Sequence, residues 1–314
     1  MQKKQIIQGT KVGIIGMGRV GSSLAFALMQ SQVVSELTLV DRSFAKAEGE
    51  AWDLNHGMSF SAGMRIKEGN YKDLKDANFI VITAGAKQQE GETRLDLLQR
   101  NINILKDIFP KVLKHNKQAI FILVSNPVDV LTYAALKISG LPRNQVIGSG
   151  TTLDTSRFRF LLGHYFKVNP KNVHAYIIGE HGDSEVPVLS SATIAGVKLK
   201  NFKGYNKRKV DQLFRKTKNA AYEVISRKGA TNWAIALAVT DIIRAIAGNK
   251  KLIMPVSTLL TGQYGIRNVA LSLPTLLDAH GAGEIVLQDL DGVELWQLKN
   301  SAKVLKQAIR NAEL

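Results

Sequence analysis

Short apolar runs and stretches of helical spacing alternate along the first half of the chain. Lys11 to Ile15, Leu37 to Val40, Phe79 to Thr83 and Ala119 to Val124 read as strands. The last two are rich in Val and Ile, as a strand buried on both faces requires. Val20 to Gln30 reads as a helix, and Leu95, Leu98, Ile102, Leu105 and Phe109 recur at helical spacing. Strands separated by helices pair in parallel through right-handed crossovers, which predicts a doubly wound sheet. Beyond about Ser149 the texture changes. His174 to Ile178 reads as a strand that runs into Gly-Glu-His-Gly, and Asn232 to Ala247 as a long apolar helix. Hairpin-like strands follow around Pro255 to Leu260 and Ile266 to Leu271, and Glu294 to Ile309 closes the chain as an amphipathic helix. No Pro- or Gly-rich linker separates the halves, so residues 1–149 and 150–314 are expected to form two units that pack closely.

With 314 residues and 45% hydrophobic content the chain can build two cores or one large one. It has no cysteine, which excludes disulfides, thiolate nucleophiles and Cys-rich metal sites, and no metal is expected. Met1 to Thr10 is polar and lacks the apolar centre of a signal peptide. No stretch approaches the roughly 20 apolar residues that span a bilayer. A cytoplasmic address with no membrane partner is expected. The net charge of +16 favours encounters with anions. Its densest stretch, Lys198 to Lys218, has nine Lys or Arg against the single acid Asp211. Aromatics are not interleaved there for base stacking, so it reads as a solvated loop and helix, and no specific nucleic-acid partner is expected.

Gly16-Met17-Gly18-Arg19-Val20-Gly21 follows the first strand and opens the first helix. Gly16 permits a tight turn, Gly18 lets backbone approach a pyrophosphate, and Gly21 allows close packing of helix on sheet, with phosphates at the positive helix N-terminus. Asp41 ends the second strand 20 residues after Gly21. A carboxylate there accepts hydrogen bonds from a ribose 2′-hydroxyl and repels a 2′-phosphate, which favours NAD over NADP, although Arg42 beside it offers a phosphate a partner.

Of six histidines (His56, His115, His164, His174, His181 and His280), only His181 sits between glycines, directly after an apolar strand, with Glu180 and Asp183 nearby. Imidazole suits proton exchange near neutrality. On local sequence alone His181 fits a structural turn histidine equally well.

Three further motifs sit in series: Ser125-Asn126-Pro-Val-Asp129, Ser149-Gly-Thr-Thr-Leu-Asp154-Thr-Ser-Arg157-Phe-Arg159, and Ile178-Gly-Glu-His181-Gly-Asp-Ser. Together they resemble the L-lactate/malate dehydrogenase family, with the match in order from the glycine loop to the C-terminal helix. The resemblance implies a Rossmann-type doubly wound parallel sheet for residues 1–149, followed by an α+β substrate-binding and catalytic domain over 150–314. It implies reversible hydride transfer between NADH and a 2-keto acid, with pyruvate and L-lactate as the small-molecule pair. His181 then resembles the proton donor and acceptor, and Asp154 the carboxylate that orients it and raises its pKa. Arg157 resembles the arginine that grips the substrate carboxylate. Spacing alone favours the structural reading, in which Asp154 caps a helix and Arg157 bonds back to it.

Arg94 ends a polar, glycine-containing segment of the kind that closes over a site. In the family its counterpart polarises the reacting carbonyl, though spacing alone fits a first-turn helix arginine. Asn126 and Asp129 match substrate-side positions, with Asn126 also at the nicotinamide. Thr231 matches a residue lining the substrate pocket and Ile235 one against the nicotinamide. Val20, Lys46, Tyr71, Gly85, Ala86, Val124 and Ser149 match further cofactor contacts. Six residues before Arg94 stands Gln88, where malate dehydrogenases carry arginine. A neutral side chain there leaves a second substrate carboxylate without a partner, a costly burial, so a methyl-sized group is preferred. The spacing to Arg94 assigns this position to Gln88 and not to Lys87.

Arg159 and His174 match the pair with which many bacterial members bind fructose 1,6-bisphosphate across a subunit two-fold, and a homotetramer is expected. The short N-terminus, without the long arm of the vertebrate enzymes, suits the bacterial type. A malate or branched 2-hydroxy-acid dehydrogenase is the competing enzyme. A non-enzymatic dinucleotide- or polyanion-binding protein is the competing class, but it would be expected to lack one of His181, Asp154, Arg157 and Arg94, and all four are present.

Overall fold

The computed structural model describes residues 9–61, 63–86, 91 and 93–314, the side chain of Arg94 excepted. The first half runs β1 (Lys11–Ile15), α1 (Arg19–Ser31), β2 (Glu36–Val40), α2 (Phe44–His56), β3 (Arg65–Glu68), β4 (Phe79–Ile82), α3 (Arg94–Leu113), β5 (Ile120–Leu123), α4 (Val128–Ser139) and β6 (Val146–Gly148). The second runs α5 (Thr152–Phe166), β7 (Val173–Ile178), β8 (Val186–Ile194), β9 (Val197–Lys198), α6 (Lys207–Lys228), α7 (Trp233–Ala247), β10 (Leu252–Thr261), β11 (Arg267–Asp278), β12 (Gly281–Ile285) and α8 (Gly292–Asn311).

Six parallel strands lie in the order β3-β2-β1-β4-β5-β6, the doubly wound arrangement expected from the alternation of strands and helices. Every residue of β4 (FIVI) and β5 (IFIL) is buried, because helices cover both sheet faces. The strand order reverses between β1 and β4, which opens a crevice beyond their carboxyl ends.

The sheet does not stop at the end of the first half. Ser257 of β10 pairs antiparallel with Gly148 of β6, and the β10–β11–β12 meander extends the sheet to nine strands. Strands β7, β8 and β9 form a separate antiparallel sheet. Two of the three apolar clusters draw on both halves; one includes Phe109, Phe121, Leu271 and Leu298, the other Leu24, Val81, Ile243 and Val256. The close packing expected from the missing linker thus has a physical basis.

Residues 198–218 become a short turn and the start of α6. The aromatics of this stretch, Phe202, Tyr205 and Phe214, pack inward against the third cluster rather than standing free to stack. Leu95, expected on the buried stripe of α3, is exposed instead, while Leu98, Ile102, Leu105 and Phe109 are buried. Among the described residues no helix is long and apolar enough to cross a membrane.

Candidate active site

At the crevice, Gly16 takes φ +103°, and a Cβ there would stand 2.5 Å from the Ala84 amide nitrogen. A Cβ on Gly21 would collide with the Gly16 carbonyl. Both positions therefore require glycine. Gly18 differs: a Cβ there would meet nothing, so space lies open above it. Gly18 is also the N-cap of α1 and offers no capping side chain. The amides of the first helical turn are thus available to an anion. Asp41 sits beside this loop, accepting from the Met17 amide at 2.7 Å through Oδ2 and from the Ser43 amide at 3.0 Å through Oδ1. Each carboxylate oxygen keeps acceptor capacity for a ribose hydroxyl. Val20 follows in α1, Lys46 is exposed in the first turn of α2, and Tyr71 is half-buried with the Lys111 ammonium 5.7 Å from its ring centre. The residues present fit a dinucleotide.

Gly85, Ala86, Val124 and Asn126 lie just past the ends of β4 and β5, and Ser149 just past β6. Asn101 of α3, 3% exposed, clips two of these loops together. Its Oδ1 accepts from the Ala86 amide at 2.7 Å and its Nδ2 donates to the Asn126 carbonyl at 2.8 Å. The sequence reading passed over Asn101, although a polar residue three after Leu98 and four before Leu105 on a buried stripe is a readable signal. From the other side, the junction of α6 and α7 docks on α1. Arg19 donates to the Lys228 carbonyl at 2.8 Å and Asn232 donates to Ser23 Oγ at 2.7 Å, which holds the segment carrying Thr231 and Ile235 against the cofactor helix.

His181 rides on the loop between β7 and β8. That loop is fixed from three directions. Gly179 (φ +88°) exchanges both backbone hydrogen bonds with Ser272 of β11 at 2.9 Å. The Glu180 amide donates to Ser301 Oγ of α8 at 2.8 Å, and the His181 amide donates to Asp129 Oδ2 of α4 at 2.7 Å. Asp129, expected beside substrate, instead lies under the histidine and is 1% exposed. Burial pushes its carboxyl up to about 6, against the hydrogen bond from the His181 amide.

The start of α5 is stitched to β7 and β11. Thr151 Oγ1 donates to the Ile177 carbonyl at 2.6 Å, the Thr151 amide donates to Ser272 Oγ at 3.0 Å, and Thr155 Oγ1 accepts from the Ile177 amide at 2.9 Å. This sets Asp154, whose side chain is only 4% exposed, with its Oδ2 2.5 Å from His181 Nδ1. Its other oxygen accepts from Arg157 Nη1 at 2.8 Å. The helical Asp–Arg pair and the Asp–His pair coexist, so one carboxylate holds both groups. Burial opposes ionisation of Asp154, but His181 and Arg157 outweigh it and hold the carboxyl below its ordinary value. Burial likewise opposes a charged imidazole, yet the charge and hydrogen bond of Asp154 prevail and push His181 up to about 9. Because a carboxylate only accepts, Nδ1 carries a hydrogen and Nε2 is left to exchange a proton with a ligand.

Glu185, in the same loop and 7% exposed, escaped the sequence reading, since nothing in its neighbours marks it as buried. Arg159 donates through Nε to the Ala175 carbonyl at 2.9 Å and lies 5.1 Å from the centre of the Tyr176 ring. His174, next along β7, is exposed. Gln88 and the Arg94 side chain lie outside the described residues. Among those residues no group of three or more His, Asp or Glu could hold a metal ion.

Two family models match the chain: lactate/malate dehydrogenase, NAD binding domain, over residues 10–148, and lactate/malate dehydrogenase, alpha/beta C-terminal domain, over 151–313. The L-lactate dehydrogenase of Clostridium botulinum (strain 657 / Type Ba4) is 49% identical over 308 residues, covering 96% of this chain and 97% of that protein. That of Acetivibrio thermocellus is 46% identical over 319 residues, covering 100% of both. The crystal structure of a lactate dehydrogenase enzyme from a Medee basin deep-sea metagenome library superposes with a TM-score of 0.95 at 42% identity, covering 98% of this chain and 99% of that one. The minor L-lactate dehydrogenase of Enterococcus mundtii, in its ligands-bound form, gives 0.94 at 39%, covering 96% and 98%.

Proposed function

This chain belongs to the lactate/malate dehydrogenase family, and on that premise we propose how its residues serve as an NAD-dependent L-lactate dehydrogenase, interconverting pyruvate and L-lactate. The observation that carries the reading is the chain His181–Asp154–Arg157, in which one buried carboxylate holds a proton carrier and a carboxylate clamp side by side. When bound, NADH supplies a hydride to the 2-carbon of the keto acid. His181 gives the oxygen its proton from Nε2 and, in the reverse direction, takes it back. Asp154 stabilises the imidazolium and fixes the ring. Arg157 grips the substrate carboxylate with a planar fork. Asp129 holds the His181 backbone, so we assign it to positioning rather than to substrate contact. Asn126 and Thr231 line the substrate side, and Arg94 polarises the carbonyl as it becomes an oxyanion.

For the cofactor, Gly16, Gly18, Val20 and Gly21 take the pyrophosphate, and Asp41 with Lys46 and Tyr71 the adenosine end. Gly85, Ala86, Val124, Asn126, Ser149 and Ile235 contact the rest. Residues 1–149 thus carry the dinucleotide and 150–314 the substrate chemistry. Gln88 sets the choice of acid. A steady-state comparison of pyruvate, oxaloacetate and 2-ketoisocaproate with NADH is expected to rank pyruvate first. In Gln88→Arg the ratio of kcat/KM for pyruvate over oxaloacetate falls by at least about 10²-fold, the scale of pairing a buried charge. An unchanged ratio would remove Gln88 from the specificity role.

His174 precedes Ala175 in β7, and Arg159 of α5 donates to the Ala175 carbonyl; we assign the pair to fructose 1,6-bisphosphate across the two-fold of a homotetramer in the cytoplasm, where the enzyme regenerates NAD during glycolytic fermentation. The bisphosphate is expected to lower the pyruvate KM, because the Arg159 guanidinium offers a phosphate a charged, forked partner. Coincident saturation curves with and without it would reject the assignment.

A further inference from the structure

Residues 229–232 join α6 to α7 and carry Thr231. Gly229 ends α6 at φ +80°, its amide donating to the Ile225 carbonyl. Asn232 stands at the N-cap of α7, where an asparagine side chain normally accepts from the amides of the first turn. Here it makes no capping hydrogen bond, although the residue is only 8% exposed. Both ends of its amide are engaged elsewhere. Oδ1 accepts from Lys228 Nζ at 2.7 Å, and Nδ2 donates to Ser23 Oγ of α1 at 2.7 Å.

These bonds belong to a closed circuit. Ser23 Oγ donates to the Arg19 carbonyl at 2.7 Å, and Arg19 Nη1 donates to the Lys228 carbonyl at 2.8 Å. Arg19, Ser23, Lys228 and Asn232 thus form a ring that runs from the helix of the glycine loop to the α6–α7 junction and back. A Cβ on Gly229 would stand 3.2 Å from Arg19 Nη1, so the guanidinium also lies against the turn itself. Further along, α1 and α7 share an apolar cluster that includes Leu24, Leu28, Val239 and Ile243. The cluster secures the body of α7, and the ring secures its first turn.

We propose that this ring is a depth stop for the substrate pocket. Ser23 and Asn232 are positioning residues that fix how near Thr231 comes to the cofactor helix, and so how large a 2-keto acid fits. The inference rests on the reading of Thr231 as a wall of that pocket. Asn232 cannot serve its own helix and the ring at once, and in this protein it serves the ring. What the diverted cap gains is a fixed distance between the junction and α1. Thr231 is its neighbour in the chain, so slack at Asn232 passes directly to the wall. A rigid pocket rejects one extra methylene by roughly 10–200-fold. A wall free to withdraw loses that selectivity, while pyruvate, with only a methyl group to place, is little affected.

The test is kcat/KM for pyruvate and for 2-ketoisocaproate, at saturating NADH, in Ser23→Ala, Asn232→Ser and the double variant. Ser23→Ala removes a single hydroxyl. Asn232→Ser shortens the reach to both partners yet keeps a residue favoured at N-caps. In each single variant the ratio for 2-ketoisocaproate over pyruvate is expected to rise about tenfold, chiefly through the KM of the larger acid, with Tm little changed. The double variant is expected to add little more, because the ring acts as a unit. Thr231→Ala, which withdraws the wall directly, is the control. If it raises the ratio and the ring variants do not, the depth stop is overturned and the pocket reading stands. An equal fall for both acids in the ring variants also overturns it, since the ring then serves stability alone. A double variant showing the full product of the single effects overturns the ring as a unit. An unchanged ratio in Thr231→Ala overturns the pocket reading and the depth stop with it.

Discussion

Replacing His181 with Gln is expected to lower kcat/KM for pyruvate by about 10³-fold, within the range that a positioned acid or base contributes, while NADH affinity changes little. The glutamine cannot carry a proton, but it leaves the glycine loop and Asp41 untouched. The pH profile sharpens the expectation. With His181 at about 9 in the free protein, pyruvate reduction should fall tenfold per pH unit above that value. Lactate oxidation, which needs the neutral ring, should rise over the same interval. Asp154→Asn removes the group that overcomes burial, so the midpoint drops by at least two units and kcat/KM at pH 7.5 falls with it. Steady-state profiles of the three proteins in both directions check this. A midpoint that stays near 9 in Asp154→Asn would show that another group sets the imidazole's proton.

The second large effect concerns Arg157. Arg157→Lys keeps the charge but loses the planar fork that serves the substrate on one side and Asp154 on the other. The expected loss in kcat/KM is about 10²–10³-fold, ~3–4 kcal/mol, most of it in KM, as for an interaction made equally in ground and transition states. If KM stays constant and kcat alone falls, Arg157 acts through Asp154 and not on the carboxylate.

The residues differed in how plainly they announced themselves. The central strands were legible because a strand buried on both faces is apolar at every position, as β4 and β5 are. The glycine loop was legible because close backbone contact excludes side chains at Gly16 and Gly21. Helix α5 gave no comparable signal. Its inward face holds Thr152, Asp154 and Thr155, polar groups spent on β7, β10 and the histidine, so the apolar period that marks a helix is missing. The pairing of β6 with β10 was hidden for another reason: it joins Gly148 to Ser257, and no local pattern encodes so distant a partner. Asp129 and Glu185 show the same limit within the site. Sequence told that acids stood in these motifs, but burial, which decides what an acid does, depends on elements far along the chain. The resemblance to a family supplied the roles of His181 and Arg157 that spacing left open between chemistry and structure.

The anchoring of the histidine has a consequence for how activity is acquired. Its loop is held by Asp129, Asp154, Ser272 and Ser301, residues drawn from four elements that end close to the chain's C-terminus. Most of the dinucleotide cleft, from Gly16 to Asn126, lies in the first half of the chain, which leaves the ribosome long before α8, while Ser149 and Ile235 join it from later elements. A nascent or refolding chain can therefore gather most of a nucleotide cleft before its proton carrier is seated. Return of turnover reports the last docking event of folding.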